Sequence, residues 1–313
     1  GPGAQDDKEG RVLNRVVKWE TEGITYEADP RHQEKLIQEL GLESTDKTAS
    51  AVKAVSTPCL KVTHEQLSSD RPLAADKVSH FRGLAARANY LVSDRPDLQY
   101  AAKEACRWMQ EPKESSVTAL KRLARYLIGK PRMLYRYPWQ EAFGGDVYAD
   151  TDWAGCIRTR KSTTGGLIMI GKHLIKSWSS TQPSVTMSSG EAEMVGVTKA
   201  AAAALGFRSL LADFGLDWPM RVWTDSIASI GMCSRQGLGK VRHLDVQIMW
   251  IQQRIRQHDF WSWERNWRLL DGEGMAGSAL GEYAAYLVII DRFRSAFVLP
   301  RLFSEGDTFP LAF

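Results

Sequence analysis

The stretch Asp146-Val-Tyr-Ala-Asp150 has the pattern of a short strand that ends on an acid. Two further acids occupy comparable positions: Glu191 begins a helix-forming stretch, and Asp225 follows the strand-like run Arg221-Val-Trp-Thr224. Acids at the ends of strands and at the start of a helix can converge on one point of a fold. Converging carboxylates repel each other, which costs free energy unless a cation lies between them.

Hard divalent cations such as Mg²⁺ prefer carboxylate oxygens, and a pair of such ions stabilises both the attacking and the leaving oxygen of phosphodiester cleavage. We therefore predict that Asp150, Glu191 and Asp225 are metal ligands and catalytic residues for hydrolysis of nucleic acid. Each also has an ordinary structural interpretation: a turn cap for Asp150, an acid in a first helical turn for Glu191, and an N-cap for Asp225. Asp152 competes with Asp150 for this role.

The chain from Asp146 onward predicts short strands followed by helices. Gly171-Lys172, between two apolar runs, predicts a two-residue hairpin turn. The later elements are a helix from about Ser189 to Leu211, a strand at Arg221–Thr224, and helices at Asp225–Met232 and Leu244–Arg256. This order predicts a mixed α/β sheet with flanking helices, in which the strands before and after the crossover helix pair in parallel.

The chain before Asp146 predicts a smaller α+β region. Residues 12–42 have the pattern of a strand, a turn, a strand and a helix, with Asp29-Pro30 at the helix start. A polar linker follows at 43–55. Three helices are predicted beyond it, at Asp76–Val92, Asp97–Met109 and Ser115–Ile128. The third has a basic face (Lys121, Arg122 and Arg125) that fits either nucleic-acid backbone or solvent.

Composition limits the class of protein. With 313 residues the chain can form two domains with cores, and its net charge of +4 is compatible with a polyanionic partner. The four cysteines lack metal-ligand spacing, which favours free thiols in a reducing compartment. No stretch has the pattern of a signal peptide or of a membrane span, so we expect an intracellular protein of the cytoplasm or nucleus, with no membrane partner.

Five motifs occur in an order that resembles copia-type LTR retrotransposon polyproteins, in their ribonuclease H domain. They are Tyr148-Ala-Asp-Thr-Asp-Trp-Ala-Gly155, Arg160-Lys-Ser-Thr-Thr-Gly-Gly166, Ser177-Trp-Ser-Ser180, Ser188-Ser-Gly-Glu-Ala-Glu193 and Arg242-His-Leu-Asp245. The upstream stretches Phe81–Tyr90, Asp94–Asp97 and Ala119–Leu127 are similar to the end of the reverse transcriptase region. The resemblance covers roughly Val12 to Gln257.

The resemblance implies a ribonuclease H-like domain at 142–258, preceded by a polymerase thumb/connection-like region at 1–141. It implies hydrolysis of the RNA strand of RNA–DNA hybrids with two Mg²⁺ ions, for which Mn²⁺ can substitute, by a chain that is part of a larger polyprotein. The family pattern favours Asp150 over Asp152, so we expect Asp152 and Trp153 to hold the loop. Glu191 and Glu193 lie about 200° apart on a helix, so only one can face the sheet; the family pattern favours Glu191 and leaves Glu193 to solvent or a basic partner. We expect no polymerase activity, because the chain has no Tyr-x-Asp-Asp motif.

Six residues are predicted to contact the substrate: Arg158, Arg160, Lys161, Ser188, Ser189 and His243. The three basic residues fit a solvated charge run equally well, and Ser188 with Glu191 also fits a plain capping box. The family's closing Ala-Asp motif, which supplies a fourth acid, is absent after Gln257. Asp271 and Glu273 lie near the expected distance, and Asp271 is the candidate for that role. The tail at 259–313 diverges and is interpreted as out of frame or poorly ordered. If the fourth acid is missing, the alternative is an inactive relic that binds nucleic acid.

Overall fold

The computed structural model of the chain describes residues 1–43, 52–59, 63–239, 245–257 and 259. The predictions for His243, Asp271 and the tail beyond Asp259 lie outside these residues, as does most of the predicted linker. The chain divides into two compact units, one containing Gly1–Trp139 and the other beginning at Gln140. Both combine a sheet with helices, so the protein is of the mixed α/β kind.

The first unit contains a four-stranded antiparallel sheet in the order β1-β2-β3-β4. Its strands are β1 (Glu9–Val12), β2 (Arg15–Glu20), β3 (Gly23–Glu27) and β4 (Leu134–Pro138). Its helices are α1 (Arg31–Glu39), α2 (His64–Ser68), α3 (Ala75–Leu91), α4 (Gln99–Cys106, after a 3₁₀ turn at Pro96–Leu98) and α5 (Glu114–Gly129).

Two features of this sheet differ from the sequence analysis. Leu13 and Asn14 both have left-handed backbone angles, with φ of 50° and 62°, and they form a turn that splits the predicted first strand into β1 and β2. Paired positive φ values suit a tight hairpin, but Leu rarely adopts them, so the local signal for this turn was weak. The pattern also missed β4, which pairs with β3 from more than a hundred residues away along the chain.

The three predicted helices of this unit are confirmed as α3, α4 and α5. The apolar face of α5, with Leu120, Leu123 and Leu127, is buried in the core of the unit. Two basic residues of the opposite face form hydrogen bonds within the same unit. Arg122 donates a hydrogen bond to the Thr57 hydroxyl at 2.7 Å, and Arg125 donates one to the Lys53 carbonyl at 2.7 Å.

The second unit contains a mixed sheet in the order β7-β6-β5-β8. Its strands are β5 (Gly145–Asp152), β6 (Thr163–Ile170), β7 (His173–Thr181) and β8 (Met220–Trp223), and its described helices are α6 (Ser189–Asp213), α7 (Ile227–Ser234) and α8 (Asp245–Arg256). The predicted hairpin turn at Gly171-Lys172 joins β6 to β7. The parallel partner of β8 is β5, and not β7, the strand that directly precedes the crossover helix.

Helix α6 is the central element of this unit. Ser188 caps it, since its hydroxyl accepts a hydrogen bond from the Glu191 N–H. Its buried face, which includes Val197 and Ala201, packs in one core with Val147 of β5. Small residues bring helix and sheet close: a Cβ on Gly196 would lie 2.6 Å from the Thr151 hydroxyl.

Length and composition alone would allow α6 to cross a membrane, contrary to the expectation that no stretch would qualify. Its alanine-rich centre, which raises helix propensity and mean hydropathy together, accounts for this. Ten of its residues are buried within the chain, which is the arrangement of a core helix.

Candidate metal centre

Three carboxylates converge in the second unit. Asp150, Glu193 and Asp225 each offer an oxygen atom, and these oxygens all lie within 4.8 Å of one another. Asp150 and Glu193 are buried, whereas Asp225 is exposed. We refer to these three residues as the acidic trio.

The topology of the sheet explains why the two aspartates meet. Strands β5 and β8 are parallel neighbours, paired from Gly145 with Met220 to Tyr148 with Trp223. Both strands therefore run toward the same edge of the sheet. Asp150 lies there near the end of β5, and Asp225 follows the end of β8. The Asp150 side chain is oriented by the Thr151 N–H, which donates to its Oδ1 at 2.8 Å.

The helical acid of the trio is Glu193, whereas the sequence analysis favoured Glu191. Glu191 instead turns back toward the preceding loop, where its Oε2 accepts a hydrogen bond from the Met187 N–H at 2.8 Å. The first N–H groups of a helix and its entry loop need acceptors, and Glu191 supplies one. The expectation that Glu193 faces solvent is wrong, because Glu193 is only 5% exposed.

A signal for Glu193 was present in the sequence. Counting along α6, Glu193 is followed at helical spacing by Val197, Ala200 and Ala204, all of which are buried. An acid that continues the apolar stripe of a core helix must face the sheet. Motif similarity instead favoured Glu191, which lies only two positions earlier.

Two other acids of β5 have separate roles. Asp146 is buried and accepts hydrogen bonds from Arg221 Nε and Trp223 Nε1, both at 2.7 Å. Asp152 closes the turn after the strand, because its carboxylate occupies the space that a Cβ on Gly155 would need. This position fits the expectation that Asp152 holds the loop.

The acidic trio suits a hard divalent cation by the chemistry of its donors. All three ligands are carboxylates, the oxygen donors that Mg²⁺ and Mn²⁺ prefer. Two of them are buried side by side, and a cation between them offsets their mutual repulsion. The exposed third carboxylate leaves the site accessible from solvent.

The predicted basic residues lie in a closed loop that follows Trp153. This basic loop, residues 156–161, is closed by two backbone hydrogen bonds, from Arg160 N to the Cys156 carbonyl at 2.7 Å and from Cys156 N to the Lys161 carbonyl at 3.2 Å. Arg158 and Arg160 are exposed, and Lys161 is half-buried. The loop is anchored next to the segment that leads into α6, since the hydroxyls of Ser162 and Thr186 are hydrogen-bonded at 3.2 Å.

The predicted serines lie at the start of α6. Ser188 is exposed and uses its hydroxyl as the helix cap, which supports the structural interpretation of that residue. Ser189 is exposed in the first turn.

The fold and the site define an α/β protein with a candidate centre for divalent cations. No family model matches the chain. The chain is 30% identical over 208 residues to the retrovirus-related Pol polyprotein from transposon RE1 of Arabidopsis thaliana, a match that covers 65% of the chain and 14% of the relative. It is 25% identical over 255 residues to the retrovirus-related Pol polyprotein from transposon TNT 1-94 of Nicotiana tabacum, covering 77% of the chain and 18% of the relative.

A third relative is an uncharacterized mitochondrial protein of Arabidopsis thaliana, 37% identical over 144 residues, which covers 45% of the chain and 58% of that protein. These similarities support the assignment of the chain to a copia-type polyprotein of transposons. The chain spans only 14% of the length of the RE1 polyprotein.

Proposed function

We propose that the second unit is a ribonuclease H-like nuclease, which hydrolyses the RNA strand of RNA–DNA hybrids as part of a retrotransposon polyprotein. The observation that carries this proposal is the convergence of Asp150, Glu193 and Asp225 within 4.8 Å. The order of elements, three antiparallel strands, a core helix and a strand parallel to the first, supports the same class.

Asp150, Glu193 and Asp225 would hold Mg²⁺, as two ions, and Mn²⁺ can substitute. Such ions activate a water molecule and stabilise the departing oxygen of a phosphodiester. The contribution of the chain is to hold the ligands still: Asp150 is fixed by the sheet and by the Thr151 N–H, and Glu193 by the core helix. Asp225 is the exposed member, so it would be the ligand that a substrate phosphate meets from solvent.

The basic loop provides charge complementary to the substrate. Arg158 and Arg160 are exposed in a loop whose backbone is closed, so their positions are restricted before binding. Discrimination of RNA would depend on contacts with 2′-hydroxyls across the wide minor groove of the hybrid. The basic face of α5 would contribute less positive charge to nucleic-acid binding, because Arg122 and Arg125 already make hydrogen bonds inside the first unit.

The test is cleavage of an end-labelled RNA–DNA hybrid by the full chain. We expect cleavage of the RNA strand with Mg²⁺ or Mn²⁺, none in EDTA, and no cleavage of double-stranded DNA. Asp225→Asn should abolish cleavage and leave hybrid binding largely intact, because it removes a ligand charge and no basic contact. Glu191→Gln is the matched control and should keep activity, since the Glu191 side chain accepts a hydrogen bond from the Met187 N–H and is not a member of the acidic trio.

Cleavage that persists in EDTA or in Asp225→Asn would contradict the proposed mechanism. Binding of the hybrid without any cleavage would favour the alternative function, an inactive nucleic-acid-binding relic.

A further inference from the structure

We propose that an apolar rim beside the acidic trio packs against the sugar rings of the bound nucleic-acid strand, with Trp153 as its principal contact. This inference rests on the proposed function and identifies how the same site holds its substrate. The rim consists of four large apolar residues that are well exposed: Trp153 at 47%, Val185 at 55%, Met187 at 80% and Ile227 at 85%. Large apolar side chains grouped at a surface mark a contact site more often than scattered ones do.

Hydrogen bonds place the rim next to the trio. Trp153 Nε1 donates to the Thr186 carbonyl at 3.2 Å, which sets the indole against the segment of Val185 and Met187. The Met187 N–H in turn donates to Glu191 at the start of α6, the helix that carries Glu193.

Ile227 belongs to the same rim and follows β8 in the chain. It lies two positions beyond Asp225 at the beginning of α7. The Ser229 hydroxyl donates to the Gly190 carbonyl at 3.3 Å, so the starts of α7 and α6 are joined. The four apolar residues and the three carboxylates therefore share one end of the second unit.

The indole of Trp153 is oriented before any ligand arrives. Its N–H is bound to the Thr186 carbonyl, and the following turn is closed by the Asp152 carboxylate and by the left-handed Ala154, whose φ is 53°. Trp153 therefore holds the loop, as expected, yet nearly half of its surface remains exposed. A side chain that is already ordered loses little entropy when it forms a contact.

The arrangement of charge identifies the occupant as a nucleic-acid strand. A strand repeats a phosphate and then a sugar, so its surface alternates between anionic and less polar groups. Here the rim adjoins two features that take phosphate under the proposed function. The Met187 N–H joins it to the start of α6, the helix that contributes Glu193 to the acidic trio, and Thr186 joins it through Ser162 to the basic loop with its exposed Arg158 and Arg160. An apolar patch that adjoins two phosphate sites matches a sugar.

The experiment measures the affinity of the full chain for a fluorescein-labelled RNA–DNA hybrid by anisotropy, over a series of salt concentrations in EDTA. Trp153→Ala should weaken binding on the order of ten-fold, the scale of one lost aromatic contact with a nucleotide. The slope of log affinity against log salt should not change, because no phosphate contact is lost. Trp153→Phe, which keeps a ring and loses the N–H donor, should stay within about three-fold of wild type.

Two control variants calibrate this result. Phe214→Ala removes another exposed aromatic residue (74% exposed), at the far end of α6, and should leave affinity unchanged. The double variant Arg158→Gln/Arg160→Gln should reduce the salt slope by about one per lost phosphate contact.

Three outcomes would overturn the inference. Unchanged affinity in Trp153→Ala means that the ring makes no contact. Equal losses in Trp153→Phe and Trp153→Ala mean that the hydrogen bond to Thr186 matters and the ring does not, and a reduced salt slope in Trp153→Ala means that the residue only positions the basic loop. The proposed function fails separately, when wild-type protein binds the hybrid and does not cut it with Mg²⁺.

Discussion

Replacing Glu193 by Gln should stabilise the metal-free protein while it abolishes cleavage. Asp150 and Glu193 are both buried, and their nearest oxygens lie within 4.8 Å. Two unit charges at that separation repel by about 3.5 kcal/mol when the effective dielectric constant is about 20. Asp225 is exposed, so its repulsion is better screened and adds less. We expect a net gain in the free energy of unfolding of about 1–3 kcal/mol, since Gln keeps the shape and removes the charge.

Glu191→Gln is the matched control, because it makes the same chemical change two positions earlier in α6. Glu191 accepts a hydrogen bond from the Met187 N–H, and a neutral acceptor weakens that bond. Its substitution should therefore destabilise the protein by about 0.5–1 kcal/mol. The two variants are predicted to shift stability in opposite directions.

Urea unfolding followed by circular dichroism, with EDTA and then with millimolar Mg²⁺, measures both effects. Mg²⁺ should raise the unfolding midpoint of wild type and of Glu191→Gln, because a ligand that binds only the folded state stabilises it. It should have little effect on Glu193→Gln. Loss of stability in Glu193→Gln without metal, or an equal response to Mg²⁺ in all three proteins, would refute the reasoning.

Three further predictions concern groups outside the trio. Burial raises the pKa of the Cys233 thiol to about 12, so Cys233 should resist iodoacetamide at pH 8 until the protein is unfolded, as mass spectrometry can show. Asp146→Asn should lower the free energy of unfolding by about 1–3 kcal/mol, because it weakens the part-buried hydrogen bonds from Arg221; a chemical denaturation midpoint equal to that of wild type would contradict this. The hydrogen bond from Arg31 lowers the pKa of Asp29 below its ordinary value of 3.8. The stabilisation of the folded state by the ionised Asp29 is therefore present above pH 3.8 and is lost as the pH falls through the lower pKa of the folded state. Unfolding midpoints at pH 5 and pH 2.5 should therefore differ less in Asp29→Asn than in wild type.

Local sequence patterns were sufficient to predict the turns and helices that depend only on residues close together in the chain. The turn at Gly171-Lys172 and the helix capped by Ser188 depend on backbone preferences within a few positions, and both formed as predicted. Strand β4 was missed, because its partner β3 lies far away in sequence and Leu134–Pro138 has no alternation or turn signal strong enough by itself.

For the candidate site, the sequence by itself determined that acids stand at the ends of two strands and in the first turns of a core helix. It did not determine which strand β8 would join, and the parallel pairing with β5 is what brings Asp225 to Asp150. The sequence analysis favoured Glu191 for the site on the family pattern, whereas the structure brings Glu193 to the two aspartates. The choice was made by packing: the apolar stripe of α6 had to face the sheet, so Glu193 was buried beside Asp150, and Glu191 was left to accept a hydrogen bond from the Met187 N–H.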